Sequence, residues 1–224
     1  MIGIGYKNTL FVVTVGVSLS LLLTFLGAYF LSRKNVYWKP LLIKLLIFTM
    51  YFSGGLIPTY FVVRGLKLVD SLWSLILPGV ISTTNMIIMR TYIQGISREL
   101  EESAEIDGAG HLTVLFKIIL PVSKAIIAVM ALYYSVDYWN SWSGALVYIQ
   151  SRSKYPLGLV LREILIESDL YTVASSTAVG IGATEDEKVQ IAKTIKYATI
   201  VIGTLPIMFV YPFLQKYFAK GVMI

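Results

Sequence analysis

This sequence predicts an all-α, polytopic bundle of membrane-crossing helices, and three observations carry that prediction. The 224 residues are 56% apolar and only 14% charged, with a mean hydropathy of +0.73. Soluble domains lie near about 45–50% and about 25%. The apolar residues gather into runs that approach the ~20 residues needed to cross a hydrocarbon core. Those runs lack the alternation of barrel strands, and lipid admits only helices and closed barrels.

The first span is Thr9 to Leu31, which carries no charge and is followed by Arg33-Lys34. It is too long for the apolar core of a signal peptide and lacks a positive flank before it. The second is Leu41 to Val63, with Lys44, Gly54-Gly55 and Pro58 inside it. Such breakers are tolerated where neighbouring helices satisfy the freed backbone groups. The third, Trp73 to Tyr92, holds Pro78 and ends near Arg90; the fourth, Ser123 to Val147, turns polar in its second half. A long extramembrane stretch from Tyr148 to Lys196 precedes the last span, Lys196 to Tyr217. The expectation is five spans in one transmembrane domain, residues 1–224. A polar loop, residues 97–121, joins the third and fourth.

Composition excludes several functions. There is no cysteine, hence no disulfide framework or thiolate metal site, and the single His111 argues against a histidine metal centre. The +6 net charge is scattered between apolar runs, which fits juxtamembrane anchoring and not nucleic acid. With loop 97–121 inside, ten Lys and Arg fall inside and nine outside, so the total is nearly silent on orientation. In the shorter connections the count is ten against three.

Loop 97–121 is the most informative segment. Ser97 is placed to cap a helix. Glu99, Glu101 and Glu102 occupy its first turns, where carboxylates complement the helix dipole. Gly108 and Gly110 stop it. From His111 a second helix is expected, with Leu112, Leu115, Phe116 and Ile119 on one apolar face and Pro121 ending or kinking it.

The segment Glu102-Ser103-Ala104-Glu105-Ile106-Asp107-Gly108, then nine residues, then Ile118-Ile119-Leu120-Pro121, resembles the EAA loop of ABC-transporter permeases. Only Ser103 departs from the pattern, small for small, and Asp107 and Ala109 match its commoner form. Trp139-Asn140-Ser141-Trp142 resembles, at tighter spacing, a Trp-Asn segment of carbohydrate-uptake permeases. Tyr155-Pro156-Leu157-Gly158 and the tail Tyr211 to Phe218 are similar to the oligosaccharide branch, with its maltose-type permease fold.

The resemblance implies that Glu102, Ser103, Ala104, Asp107, Gly108, Ala109, Ile118, Leu120 and Pro121 form a cytoplasmic lever. It implies a second permease subunit, two ATPase subunits that bind the ATP, and an extracytoplasmic substrate-binding protein. The chain itself would hold no cofactor and would sit as a multi-pass protein in a bacterial plasma membrane. It further implies a sixth, earlier helix. With Met1 outside and Ile224 inside, a small-residue face on the first span (Gly16, Ser18, Ser20, Thr24, Gly27) would then be exposed.

Asp137 is the one acid within the fourth span, and a charge at the bilayer centre costs about 2.5–3.5 kcal/mol on insertion scales. It is expected to face the bundle interior. Tyr133, Asp137 and Asn140 fall at helical spacing on one face, with Tyr134, Trp139 and Trp142 nearby. Aromatic faces and amides suit a sugar. Ser82-Thr83-Thr84-Asn85 adds a polar cluster in the third span, with Asn85 a candidate for the path. Trp139 and Trp142 also fit an interfacial belt, and Ser82 to Asn85 also fit interhelical glue.

Outside, Gly158 to Asp169 reads as a surface amphipathic helix. Arg152 and Lys154 suit either an acidic oligosaccharide or plain solvation, and Glu185-Asp186-Glu187 lacks calcium-loop spacing. No G-x-x-x-x-G-K-[ST] loop occurs. A permease for amino acids or peptides is one alternative. A membrane-embedded enzyme using Asp137 or Glu102 is the other, although its acids would have to converge.

Overall fold

A computed structural model describes residues 1–33, 37–177 and 193–206, with 190 and 208 singly. All the regular structure among these residues is helical. Helix α1 (Ile2–Ser32) is the first expected span, extended at its N-terminal end by seven residues from Thr9 to Ile2. It is the one described helix long and apolar enough to cross a bilayer singly.

The second expected span is two helices. α2 (Lys39–Tyr51) and α3 (Leu56–Gly65) meet at 115° across the non-helical residues Phe52 to Gly55. The third is broken as well, into α4 (Trp73–Ile76), a 3-10 turn at Pro78, and α5 (Thr83–Gln94). Ser82 caps α5, accepting the Asn85 N–H at 3.4 Å.

The polar loop folds as α6 (Glu99–Ile106), α7 (His111–Val114), a π turn over Leu115 to Ile119, and α8 (Leu120–Val122). The fourth expected span becomes α9 (Lys124–Trp139) and α10 (Trp142–Tyr148), broken at Asn140-Ser141. The helix running His111–Val122 meets α9 at 79°, so the kink expected at Pro121 falls at Ser123. α11 (Leu157–Thr177) contains the helix expected over Gly158 to Asp169 and is longer than expected. Residues 193–206 are helical. The rest of the last expected span, the Tyr211 tail and Glu185-Asp186-Glu187 lie outside the described residues.

α1 is the spine. Its inner half (Phe25, Ala28, Leu31) packs with Met86, Met89 and Ile93 of α5, with Leu115 and Ile119, and with Met130 of α9. Its outer half packs Val12 with Leu75, Ile76, Tyr134 and Tyr138. Lipid is as apolar as leucine, so close packing and hydrogen bonds hold such helices together. Both occur here. The Ser20 hydroxyl and Tyr138 Oη lie at 2.9 Å, and Thr24 Oγ1 and Tyr134 Oη at 2.7 Å.

The expected vacancy on α1 is therefore not found. Gly16, Ser20 and Thr24 are buried against α9, and Gly27 is half-buried against Met86; only Ser18 is exposed. A Cβ on Gly16 would lie 2.8 Å from the Tyr138 ring. The small residues admit tyrosines of this same chain. Gly16→Ala is accordingly expected to destabilise by about 1–3 kcal/mol through overpacking. Thermal unfolding in detergent measures it, and a melting point equal to wild type would contradict the tight contact.

Candidate functional site: a cytoplasmic lever and an open helix face

The candidate lever begins at α6, whose first turn holds Glu99, Glu101 and Glu102. Its N-cap is Arg98 and not Ser97, although Ser97 Oγ accepts the Glu99 N–H at 3.4 Å. The helix ends as the glycine signal predicts. Gly108 has φ +81°, its N–H reaches Glu105 O at 3.0 Å, and the Ala109 N–H reaches Ala104 O at 2.8 Å. That pattern is a Schellman stop, which satisfies orphan carbonyls and favours glycine at the left-handed position.

α6 has two faces. Glu101 is buried and pairs with Arg33. Glu102, Ser103, Glu105, Ile106 and Asp107 are exposed, Ile106 at 85%. Ala104 and Ala109 pack against the inner core.

The expected apolar face of the second lever helix is corrected. Leu115 and Ile119 are buried, but Leu112 is 70% exposed and Phe116 is also exposed. The π turn adds a residue to the ladder and rotates the face, so Val114, Leu115 and Ile119 point inward and Ile118 and Leu120 pack beside them. Pro121 is exposed. The exposed side of this segment thus presents carboxylates around Ile106, Leu112 and Phe116.

α9 supplies the second feature. Met130, Tyr134 and Tyr138 are buried toward α1, while Tyr133, Val136, Asp137 and Asn140 are exposed. The shared face of Tyr133, Asp137 and Asn140 is as the spacing predicts. The expectation that Asp137 lies inside this chain's bundle is not met, because Tyr134 and Tyr138 fill that interior. No hydrogen bond to its carboxylate occurs among the described residues. Asn140 Nδ2 donates to Val136 O at 3.0 Å.

The other candidates for the path separate from this face. Tyr134 is buried, and its hydroxyl also accepts the Ser82 N–H at 3.2 Å. Asn85 is buried. Trp139 meets Tyr6 edge-on with ring centroids 6.4 Å apart. Trp142 lies beneath the Arg162 guanidinium, 3.7 Å from the ring centroid.

The outer corner contains a residue that sequence reasoning missed. Asp70 has φ +58°, and its carboxylate accepts from Ser151 Oγ at 2.6 Å, the Ser151 and Gln150 N–H groups at 2.8 and 3.0 Å, and Lys154 Nζ at 2.9 Å. Its own N–H donates to Tyr148 O at 2.8 Å. Asn8 Nδ2 ties α1 to the same loop through Ser153 O and Tyr155 O. The outer basic pair is thereby engaged within the chain: Lys154 with Asp70, and Arg152 with Glu163 at 3.2 Å.

The Ser151 hydroxyl and N–H, then the Lys154 ammonium, hold the Asp70 carboxyl well below the usual carboxylate range. A depressed native value means its contribution is complete above the ordinary value and is lost progressively as pH falls from there through the native one. Hydrogen exchange over residues 149–154 should therefore stay slow from pH 7 to about pH 4. Asp70→Asn should exchange about fivefold faster or more at neutral pH, since bonds to a charged group are the stronger kind. Equal protection in the two proteins would remove Asp70 from this role.

Comparison with known proteins fits this geometry. Residues 36–224 match the family described as "Binding-protein-dependent transport system inner membrane component". The chain belongs to that family. It is a transport component of a bacterial inner membrane and not an enzyme. It is 48% identical over 216 residues to Protein LplC of Bacillus subtilis (strain 168), covering 96% of this chain and 71% of that one. It is 43% identical over 222 residues to the polygalacturonan/rhamnogalacturonan transport system permease protein YtcP of the same organism, covering 98% and 76%. A bacterial ABC transporter involved in import of the acidic polysaccharide alginate has a chain of the same fold, at a TM-score of 0.83 and 29% identity over 96% of this chain and 74% of that one. The fold is the ABC-importer permease fold.

Proposed function

We propose that this chain is a permease subunit of an ATP-driven importer for an oligosaccharide. The observation that carries it is the 43% identity, across 98% of the chain, to a permease of a polysaccharide transport system. The alginate importer's matching fold supports the same substrate class over amino acids or peptides. The chain acts as one transmembrane domain of five spans, the second of them the bent pair α2–α3. Loop 97–121 is its cytoplasmic lever and residues 148–196 its outer segment.

The partners are a second permease subunit, two ATPase subunits that bind ATP, and a substrate-binding protein. The exposed side of the lever, with Glu102, Ser103, Asp107 and the apolar Ile106, suits an ATPase groove. Gly108 and Ala109 set its end; Ala104, Ile118 and Leu120 seat it on the core, and Pro121 leads into α9. On α9 an ionisable residue cannot rest against lipid cheaply. The face of Tyr133, Asp137 and Asn140 is therefore assigned to the path between the two permeases. Tyr134, Asn85, Trp139 and Trp142 support that helix from behind and from its outer end. Nucleotide binding shifts the population between inward and outward access, because the ATPases bind the lever differently in the two states.

The test is ATP-dependent uptake into vesicles by the complex co-purified with its ATPases and binding protein. The panel should hold acidic and neutral oligosaccharides, amino acids and peptides. Uptake of an oligosaccharide is the expected result. Uptake of amino acids or peptides alone would overturn it.

A further inference from the structure

The chain offers two routes from the lever to the α9 face. One is covalent, through α7, the π turn and α8, and it passes the 79° break at Ser123. A π turn and a break are the places where a push is absorbed as bending. The other route leaves the buried side of α6. Glu101 there accepts from both terminal guanidinium nitrogens of Arg33, Nη2 to Oε1 at 2.9 Å and Nη1 to Oε2. Arg33 is the C-cap of α1.

This joint is built from several sides. The guanidinium lies 3.9 Å from the Tyr29 ring centroid. The last α1 carbonyls are held by other cations: Arg90 Nε donates to Leu31 O at 3.1 Å, and Lys39 Nζ to Arg33 O at 2.6 Å. A bidentate arginine–carboxylate pair fixes angle as well as distance, unlike a single-point contact. α1 is one unbroken helix of 31 residues. Farther along it, Thr24 and Ser20 are bonded to Tyr134 and Tyr138, on the buried side of the helix whose other side carries Tyr133, Asp137 and Asn140.

We infer that Arg33 and Glu101 are positioning residues that clamp the lever to α1, so that α6 and α1 move as one body and α1 carries the stroke to the path-lining helix. The inference rests on the transport reading above. It assigns to Arg33 a mechanical role beyond anchoring the end of a span.

The experiment uses the chain's lack of cysteine. Spin labels on Leu22→Cys of α1 and Leu100→Cys of α6, both at exposed positions, report the separation of the two helices. Pulsed resonance distances are taken on the purified complex, nucleotide-free and trapped with ATP and vanadate. A distance common to both states is expected with native Arg33, and a distance that changes on trapping with Arg33→Met. The charge exchange Arg33→Glu with Glu101→Arg should restore a common distance.

In vesicles, Arg33→Met should raise the ATP hydrolysed per solute imported about tenfold, a coupling loss within the usual allosteric range. The exchange should recover part of it. A distance that changes on trapping with native Arg33 overturns the clamp, as does an unaltered ATP-to-solute ratio in Arg33→Met. A fixed distance in a complex that imports none of the oligosaccharides supports the clamp and counts only against the substrate assignment.

Discussion

Gly108→Pro is expected to lower import more than tenfold while the complex still assembles and still hydrolyses ATP within about twofold of wild type, an uncoupling of several kcal/mol at most. Proline holds φ near about −65° and has no N–H. The native residue has φ +81° and donates to Glu105 O. The Schellman stop cannot form around proline, so α6 loses its fixed exit and Ala109 its bond to Ala104 O. The residue before proline is also driven from helical geometry, which Asp107 approaches with φ −72° and ψ 4°. Gly108→Asn is the control, because asparagine tolerates the left-handed region; it should retain most of the import. ATPase assays and uptake on one preparation decide the matter. Normal coupling in the proline variant would sink the lever assignment.

Asp137→Asn is expected to reduce import about tenfold, with complex recovery changed less than twofold, because the amide keeps the volume and removes only the charge that makes an intramembrane acid functional. Asp137 has no hydrogen-bond partner among the described residues and lies outside this chain's core, so the fold has little to lose. Its burden falls on the path face it shares with Tyr133 and Asn140. Equal loss of import and assembly would assign it to packing between subunits.

The sequence made the apolar elements and the lever's stop readable, because those signals are local. A charge-free run from Thr9 to Leu31 defines α1 without help from its neighbours. Gly108 announces a left-handed position, and one is present. The α9 face followed from helical spacing alone.

What failed was long-range. Gly16, Ser20 and Thr24 look like a surface awaiting another helix, and their partners are tyrosines more than a hundred residues away in the same chain. The π turn moved Phe116 outward, and hydrophobic periodicity assumes a regular ladder. Asp70 carried no motif; its four ligands come from residues 150–154, and only the folded chain brings them together. Arg33 read as a flanking charge until its carboxylate partner, 68 residues later, was in place.

The hydroxyl pairs between α1 and α9 bear on how the protein is made. α1 precedes α9 into the bilayer, and the tyrosines that meet Ser20 and Thr24 follow in sequence by 118 and 110 residues. An unmatched hydroxyl in hydrocarbon falls back on a carbonyl of its own helix, one turn earlier. Ser18, which keeps its bond to Thr14 O at 2.8 Å in the finished fold, displays that resting arrangement. For Ser20 and Thr24 the resting bonds are exchanged for tyrosines once α9 arrives. Insertion and registration of these two helices are thus separate steps in biogenesis. The second sets the vertical alignment of α9 and with it the depth of Asp137.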